Sequence, residues 1–222
     1  MKILQPPLPK ELDAAQALRY MGCTQKADPA TEALLQKAEA LLRLAAQPHA
    51  VWMECPVAEL PLQNTGSDLA RHLQGCENAV LLAVTLGSGT DRLLQRLSAT
   101  ELPAAVAADA AASTLIEQLC DEIERELRRE YQARGLYITG RYSPGYGDCP
   151  LALQSVFAAY LDTGRKIGLT VGSSGLLLPR KSVTAILGIS QTPVTGYRAG
   201  CAHCVLQKTC QYRKRGVSCE QE

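Results

Sequence analysis

The stretch Arg141-Tyr142-Ser143-Pro144-Gly145-Tyr146-Gly147-Asp148-Cys149-Pro150 divides the chain. Upstream of it a long helical periodicity stops at Gly135; downstream a new one starts at Leu151. Between them Pro144, Gly145, Gly147 and Pro150 exclude a regular element and impose a stiff, exposed turn. Its glycines let main chain approach a ligand with no Cβ in the way. Arg141 stands at the mouth of the turn, and a planar guanidinium fork suits a carboxylate. Tyr142 and Tyr146 add flat amphipathic surface to a chain with only 5% aromatic residues. Residue types alone leave two readings open: a tight interhelical loop whose arginine caps a helix end, or a ligand loop.

Moving outward, the segment from about Pro103 to Arg134 reads as one long helix. Ile116, Leu119, Cys120, Ile123, Leu127 and Tyr131 recur on its core face, while Glu117, Asp121, Glu124, Arg125 and Arg128 form what reads as a solvated face. Seven of the nine residues 104–112 are alanine, so another backbone can lie close there. Before it, Ala79–Leu86 is a short apolar run expected to be a buried strand, ended by Gly87-Ser88-Gly89. The Gly-x-Gly-Thr-Asp91 that follows lacks the Gly-Lys-Ser/Thr of a phosphate loop and reads as a structural turn. Leu136–Thr139 leads into the loop as a short strand. After the loop a helix is expected, capped by Asp148, buried through Val156, Phe157, Tyr160 and Leu161, and ended by Gly164. Cys149 would sit where a helix dipole lowers a thiol pKa, or else is a packed, inert thiol. Ile167–Val171 and Val183–Ile189 read as strands.

Nearer the N-terminus, helices are expected over 10–21 and 30–46, the second capped by Asp28-Pro29, and over 67–73. Ala50–Leu62, interrupted by Pro56, reads as an edge strand or a pair of short strands. Strands come in groups on either side of helices, so the fold class is α+β: an antiparallel twisted sheet flanked by helices, with a long central helix and a Cys-rich C-terminal tail. Residues 1–78 are expected to be a helical and edge-strand part of the same domain, 79–196 its core, and 197–222 the tail.

With 222 residues, 46% hydrophobic and 20% charged, the composition is that of an ordinary soluble protein with one substantial core. A net charge of +1 gives no global reason to expect nucleic acid. No apolar run reaches the ~18–20 residues that span a bilayer, and Met1-Lys-Ile-Leu-Gln-Pro-Pro7 lacks a signal peptide's apolar core, so the expectation is a cytoplasmic protein. In that compartment its nine cysteines are thiols or metal ligands. Cys201, Cys204, Cys210 and Cys219 are spaced C-x2-C-x5-C-x8-C. C-x-x-C grips one metal centre from a single turn, and four thiolates suit tetrahedral zinc or an iron–sulfur cluster. His203 is an alternative fourth ligand. Arg198, Lys208, Arg213, Lys214 and Arg215 make this tail basic, a solvated face or a dock for an acidic partner.

Arg141-x-x-Pro144-Gly145-Tyr146-x-x-Cys149-Pro150 followed by a helix resembles the signature of the activation domain of cobalamin-dependent methionine synthase. The likeness continues through Leu151–Gly164 and through Pro179 with Ser182-Val183-Thr184, which is similar to the family's Pro-x-x-Ser-Val-Ser run. It covers roughly residues 80–190 and is specific over 141–150. The resemblance implies S-adenosylmethionine binding: Arg141 on the ligand's carboxylate, main chain around Ser143 and Gly145 on the adenosine end, and Tyr146 near the methionine portion. Ser113 falls where the family carries a glutamate that helps hold the ligand. It further implies an activation subunit, a methyltransferase component, that supports reductive methylation of cob(II)alamin to methylcobalamin. The cobalamin would be carried by a methionine synthase partner, since no Asp-x-His-x-x-Gly motif is present. An electron donor such as a flavodoxin or ferredoxin would take part. An iron–sulfur cluster in the tail would then give an electron route, whereas zinc would only brace it. An activator of another corrinoid methyltransferase, and a zinc-braced regulatory or scaffold protein, are the alternatives.

Overall fold

The computed structural model describes residues 1–23, 27–62 and 65–196, together with Lys208. Continuous apolar runs at β3 and β7 form the centre of a five-stranded antiparallel sheet in the order β1-β2-β3-β7-β4. Its strands are β1 (Lys2–Leu4), β2 (His49–Pro56), β3 (Asn78–Thr85), β4 (Tyr137–Ile138) and β7 (Ser182–Ser190). A separate hairpin pairs β5 (Thr170–Val171) with β6 (Leu177–Leu178). The expected α+β class, with an antiparallel sheet, flanking helices and a long central helix, is the one observed.

β3 occupies the centre of the sheet and is buried on both faces from Ala79 to Thr85. Val80, Leu82 and Val84 meet Leu187 and Ile189 on the face covered by α1 (Ala14–Tyr20), α2 (Pro29–Ala45), α4 (Ser88–Thr100) and α5 (Leu102–Ala133). Leu81, Ala83 and Ile186 point the other way, toward α3 (Ser67–His72), α6 (Leu153–Leu161) and α7 (Thr163–Ile167), where Phe157 and Leu161 are fully buried. The alanine run of α5 is buried throughout, and α2 and α4 both pack on that helix. Small side chains there permit close approach between helices.

Several boundaries differ from the sequence expectation, each for a local reason. α1 starts only at Ala14, because the Asp13 carboxylate accepts from Gln16 N at 2.9 Å and fixes the cap. β2 is interior only over Ala50–Trp52, where β1 pairs with it; toward Pro56, its last paired residue opposite Asn78, β3 is its one partner among the described strands, so the missing N–H is tolerated. The edge beyond it is β1, whose three residues are too short for any periodicity to reveal. Gly164 lies inside α7; α6 instead ends at Asp162, which adopts a left-handed φ of 48°. Most of 167–171 is helix end and turn, with only Thr170–Val171 in a strand. The glycines of the Gly-x-Gly turn after β3 have a packing reason. A Cβ on Gly89 would strike the carbonyl of Ala45, and one on Gly87 would come within 2.8 Å of that of Gln47. The backbone that those glycines admit is the end of α2.

Candidate functional site

The loop 139–150 runs along the outer edge of β7. Thr139 N donates to Gly188 O at 2.9 Å, and Gly188 N donates back to the Thr139 hydroxyl at 2.8 Å. Tyr142 and Ile186 exchange both main-chain bonds, at 3.0 and 2.9 Å. From α5, Arg128 Nη1 donates to Ile138 O at 2.7 Å and Nη2 to Thr139 O at 3.2 Å. The loop therefore enters its turn from a fixed register. Beyond Tyr142 the chain folds on itself: Tyr146 N donates to Ser143 O, Cys149 N to Tyr146 O, and the Tyr142 hydroxyl to Tyr146 O at 3.0 Å. Gly145, at φ 94°, is needed for this reversal.

Arg141 and Tyr142 point to opposite sides of the sheet edge, as successive residues of an extended segment do. Tyr142 packs into the core with Phe157 and Leu69. Arg141 reaches across to α5, where Nη2 donates to Asp121 Oδ1 at 2.7 Å and to Glu117 Oε2 at 3.4 Å. Its Nη1 stands 3.2 Å from Glu124 Oε2, yet that buried nitrogen makes no hydrogen bond among the described residues. The arginine side chain is 15% exposed, against 39% for Glu117, 60% for Asp121 and 20% for Glu124. The charges that read as a solvated face of α5 thus grip the loop's arginine. Burial raises the pKa of Glu117, and Arg141 only partly offsets this.

Of the other loop residues named from the sequence, Ser143 is half-buried and Gly145 and Tyr146 are exposed, Tyr146 at 65%. Arg141 lies over α5. Cys149 is buried, and its thiol is pushed up by that burial. It is also four residues ahead of α6, so no helix dipole activates it. Asp148 does not cap that helix. It reaches across to α3, accepting from Ser67 N at 2.6 Å, Ser67 Oγ at 3.0 Å and Asp68 N at 3.0 Å. Ser113, on the same helix as Glu117, accepts from Lys181 Nζ at 2.8 Å, and that ammonium also pairs with Asp109 at 2.9 Å. Among the described residues, two buried polar atoms on neighbouring elements have no partner: Gln154 Oε1 on α6 and Thr184 Oγ1 on β7. The part of α5 that holds Arg141 and the α3 anchor carry no motif. Only the acids spaced four and three apart on α5, which look like any exposed helix face, could have signalled them.

A shallow depression of about 170 Å³ lies elsewhere, between β1 and α5, floored by Leu4, Trp52, Leu119 and Ile123; it holds none of the candidate ligand or metal residues named from the sequence. Cys201, Cys204, Cys210 and Cys219, and the alternative ligand His203, lie outside the described residues. Among the described residues no cluster of metal-ligating side chains occurs. Nor is any helix among them long and apolar enough to cross a membrane.

No family model matches the sequence, and no curated protein matches it. Among solved structures, the chain is similar to the crystal structure of the MetH reactivation domain bound to AdoHcy. The TM-score is 0.60 at 15% sequence identity, over 97% of this chain and 89% of that one. The likeness extends over the N-terminal elements as well as the segment around the loop, and it is a likeness of fold.

Proposed function

We propose that this protein is an activation module for cobalamin-dependent methionine synthase, acting as a separate subunit that binds S-adenosylmethionine at the 141–150 loop. One observation carries the reading. The Arg-x-x-Pro-Gly-Tyr-x-x-Cys-Pro turn sits on a sheet edge in a fold similar, along almost its whole length, to a reactivation domain whose ligand is AdoHcy.

Arg141 would take the carboxylate of the ligand. Its closest partner, Asp121, is the most exposed of its three acids and so the contact most readily exchanged for a ligand carboxylate. Once the guanidinium turns, Glu117 and Asp121 remain for the ammonium group on the same carbon. Main chain at Ser143 and Gly145 would meet the adenosine end, and Tyr146 the methionine portion. The unpartnered Thr184 hydroxyl and Gln154 amide oxygen offer further polar contacts beside the loop. At Ser113 the site departs from the family's glutamate, and the hydroxyl there already accepts from Lys181.

Transfer of the methyl group from the sulfonium is a direct displacement. The C–S bond breaks as the bond to the reduced cobalt forms, and a neutral thioether leaves, so no general base is required. The protein's part is to align the donor and exclude water. The methyl acceptor is the cobalamin of a partner subunit, reduced by one electron from a donor such as a flavodoxin or ferredoxin. In the tail, Cys201, Cys204, Cys210 and Cys219 would hold an iron–sulfur cluster that relays that electron, or a bracing zinc.

The test is to add the protein, with S-adenosylmethionine and a reductant, to methionine synthase inactivated in its cob(II)alamin form. Restored turnover is expected. Unchanged inactivity, with no uptake of S-adenosylmethionine, removes the reading.

A further inference from the structure

The 141–150 loop is fastened at both ends by one short element that carries no part of the motif. Asp148, at the far end, accepts three hydrogen bonds from Ser67 and Asp68, and Asp68 Oδ2 in turn lies 3.4 Å from Asp148 N. At the near end, His72 Nε2 lies 3.0 Å from Gly140 O and 2.9 Å from the Thr139 hydroxyl, and its ring is 5.0 Å from that of Tyr142. These two grips sit at opposite ends of α3, about 8 Å apart at a helical rise of ~1.5 Å per residue. The eight residues between them could span three times that distance if extended, so α3 sets the width of the turn. The fit is close. A Cβ on Gly66 would collide with the Asp148 carboxylate, and one on Gly147 would collide with that of Asp68.

We propose that α3 is the positioning element of the ligand loop, with His72 and Asp148 as positioning residues that fix where Arg141 presents its guanidinium. This rests on the reading of that loop as an S-adenosylmethionine site. Arg141 is held from the other side by Glu117, Asp121 and Glu124. To change partners it must move while its main chain stays in place. Gly140, the residue just before it, is the one whose carbonyl His72 holds. If α3 let go, the loop would follow the arginine onto α5, and the ligand's carboxylate would meet a displaced fork. A displaced fork forfeits part of a charge-assisted pair, whose strength depends on its bidentate geometry.

The experiment titrates the full chain, calorimetrically, with S-adenosylmethionine and with its decarboxylated analogue. It compares wild type with Asp148→Ala, Asp148→Asn, His72→Leu and His72→Gln. Asp148→Ala and His72→Leu are expected to weaken S-adenosylmethionine binding about 10-fold, the scale of one charge-assisted hydrogen bond, while shifting the decarboxylated analogue less than ~2-fold, because that ligand offers Arg141 nothing to hold. Asp148→Asn, which keeps one of the acceptor oxygens, and His72→Gln, which keeps a side-chain nitrogen donor, are expected to recover most of the loss. Equal weakening of both ligands would mean that α3 serves only the fold, and unchanged affinity would mean that it does not position the loop; either overturns the proposal. Asp148 is at the surface, so its variants decide the matter if His72→Leu does not fold. Wild-type protein that takes up neither ligand overturns the reading of the loop itself, and this inference with it.

Discussion

Thr139→Val tests how the loop is pinned to β7. Thr139 is fully buried, and its hydroxyl accepts from Gly188 N at 2.8 Å, contacts His72 Nε2 at 2.9 Å and lies 2.9 Å from Gly140 O. Valine nearly preserves the volume but offers no hydroxyl. Gly188 N–H would then be buried with no acceptor, at about 1–3 kcal/mol. His72 would keep Gly140 O, so its loss is the smaller one, bringing the sum to roughly 2–3 kcal/mol. For a chain of this size each kcal/mol moves Tm by about 2–4 °C, which predicts a fall of roughly 5–10 °C. Thr139→Ser retains the hydroxyl, loses one methyl and should cost only about 1 kcal/mol. Urea unfolding followed by circular dichroism gives both numbers, with an unchanged m-value as the control. A Thr139→Val protein within ~0.5 kcal/mol of wild type, or no less stable than Thr139→Ser, would refute the assignment of the hydroxyl as a substitute ladder partner.

The Asp148 carboxyl is held below the ordinary range by the N–H groups of Asp68 and Ser67. Its stabilisation is therefore complete above the unfolded carboxylate pKa near ~4 and is lost as pH falls through the lower folded value. Tm should drop less steeply below about pH 4 in Asp148→Asn than in wild type; parallel curves would contradict this. Glu117 has the opposite sign. Burial raises its pKa, so its ionised form begins to cost stability as pH rises from the unfolded value through the folded one. Glu117→Gln should accordingly raise Tm at neutral pH and not in acid, a difference that pH-resolved calorimetry would show; a lower Tm at neutral pH would mean that the Arg141 contact outweighs burial. For the tail, anaerobically purified protein should show a broad absorption near ~400 nm that Cys201→Ser and Cys204→Ser abolish. A colourless protein containing zinc would replace the relay with a brace.

The sheet and the main helices were legible because their signals are local. The apolar run of β3, the core stripe of α5 and the Asp28-Pro29 cap each depend on residues close in sequence. What was not legible depends on partners far along the chain. Asp148 looked like the cap of the helix beside it but serves α3, eighty residues earlier. Pro56 marked the open end of β2 correctly, but nothing nearby in sequence shows that β1 covers the same strand at Ala50–Trp52. The acids of α5 had the spacing of a solvated face, and only the path of the loop shows that they hold Arg141. His72 and Thr139 carry no motif at all; their importance comes from the register of β4 against β7.

The central claim is that Arg141 recognises the amino-acid carboxylate of S-adenosylmethionine. Calorimetric titration of the ligand into wild type and Arg141→Ala tests it most directly. Saturable binding to wild type, weakened at least ~10-fold in the variant as expected for loss of a charge-assisted pair, is the predicted result. Equal affinity in the two proteins, or no heat from wild type, would contradict it.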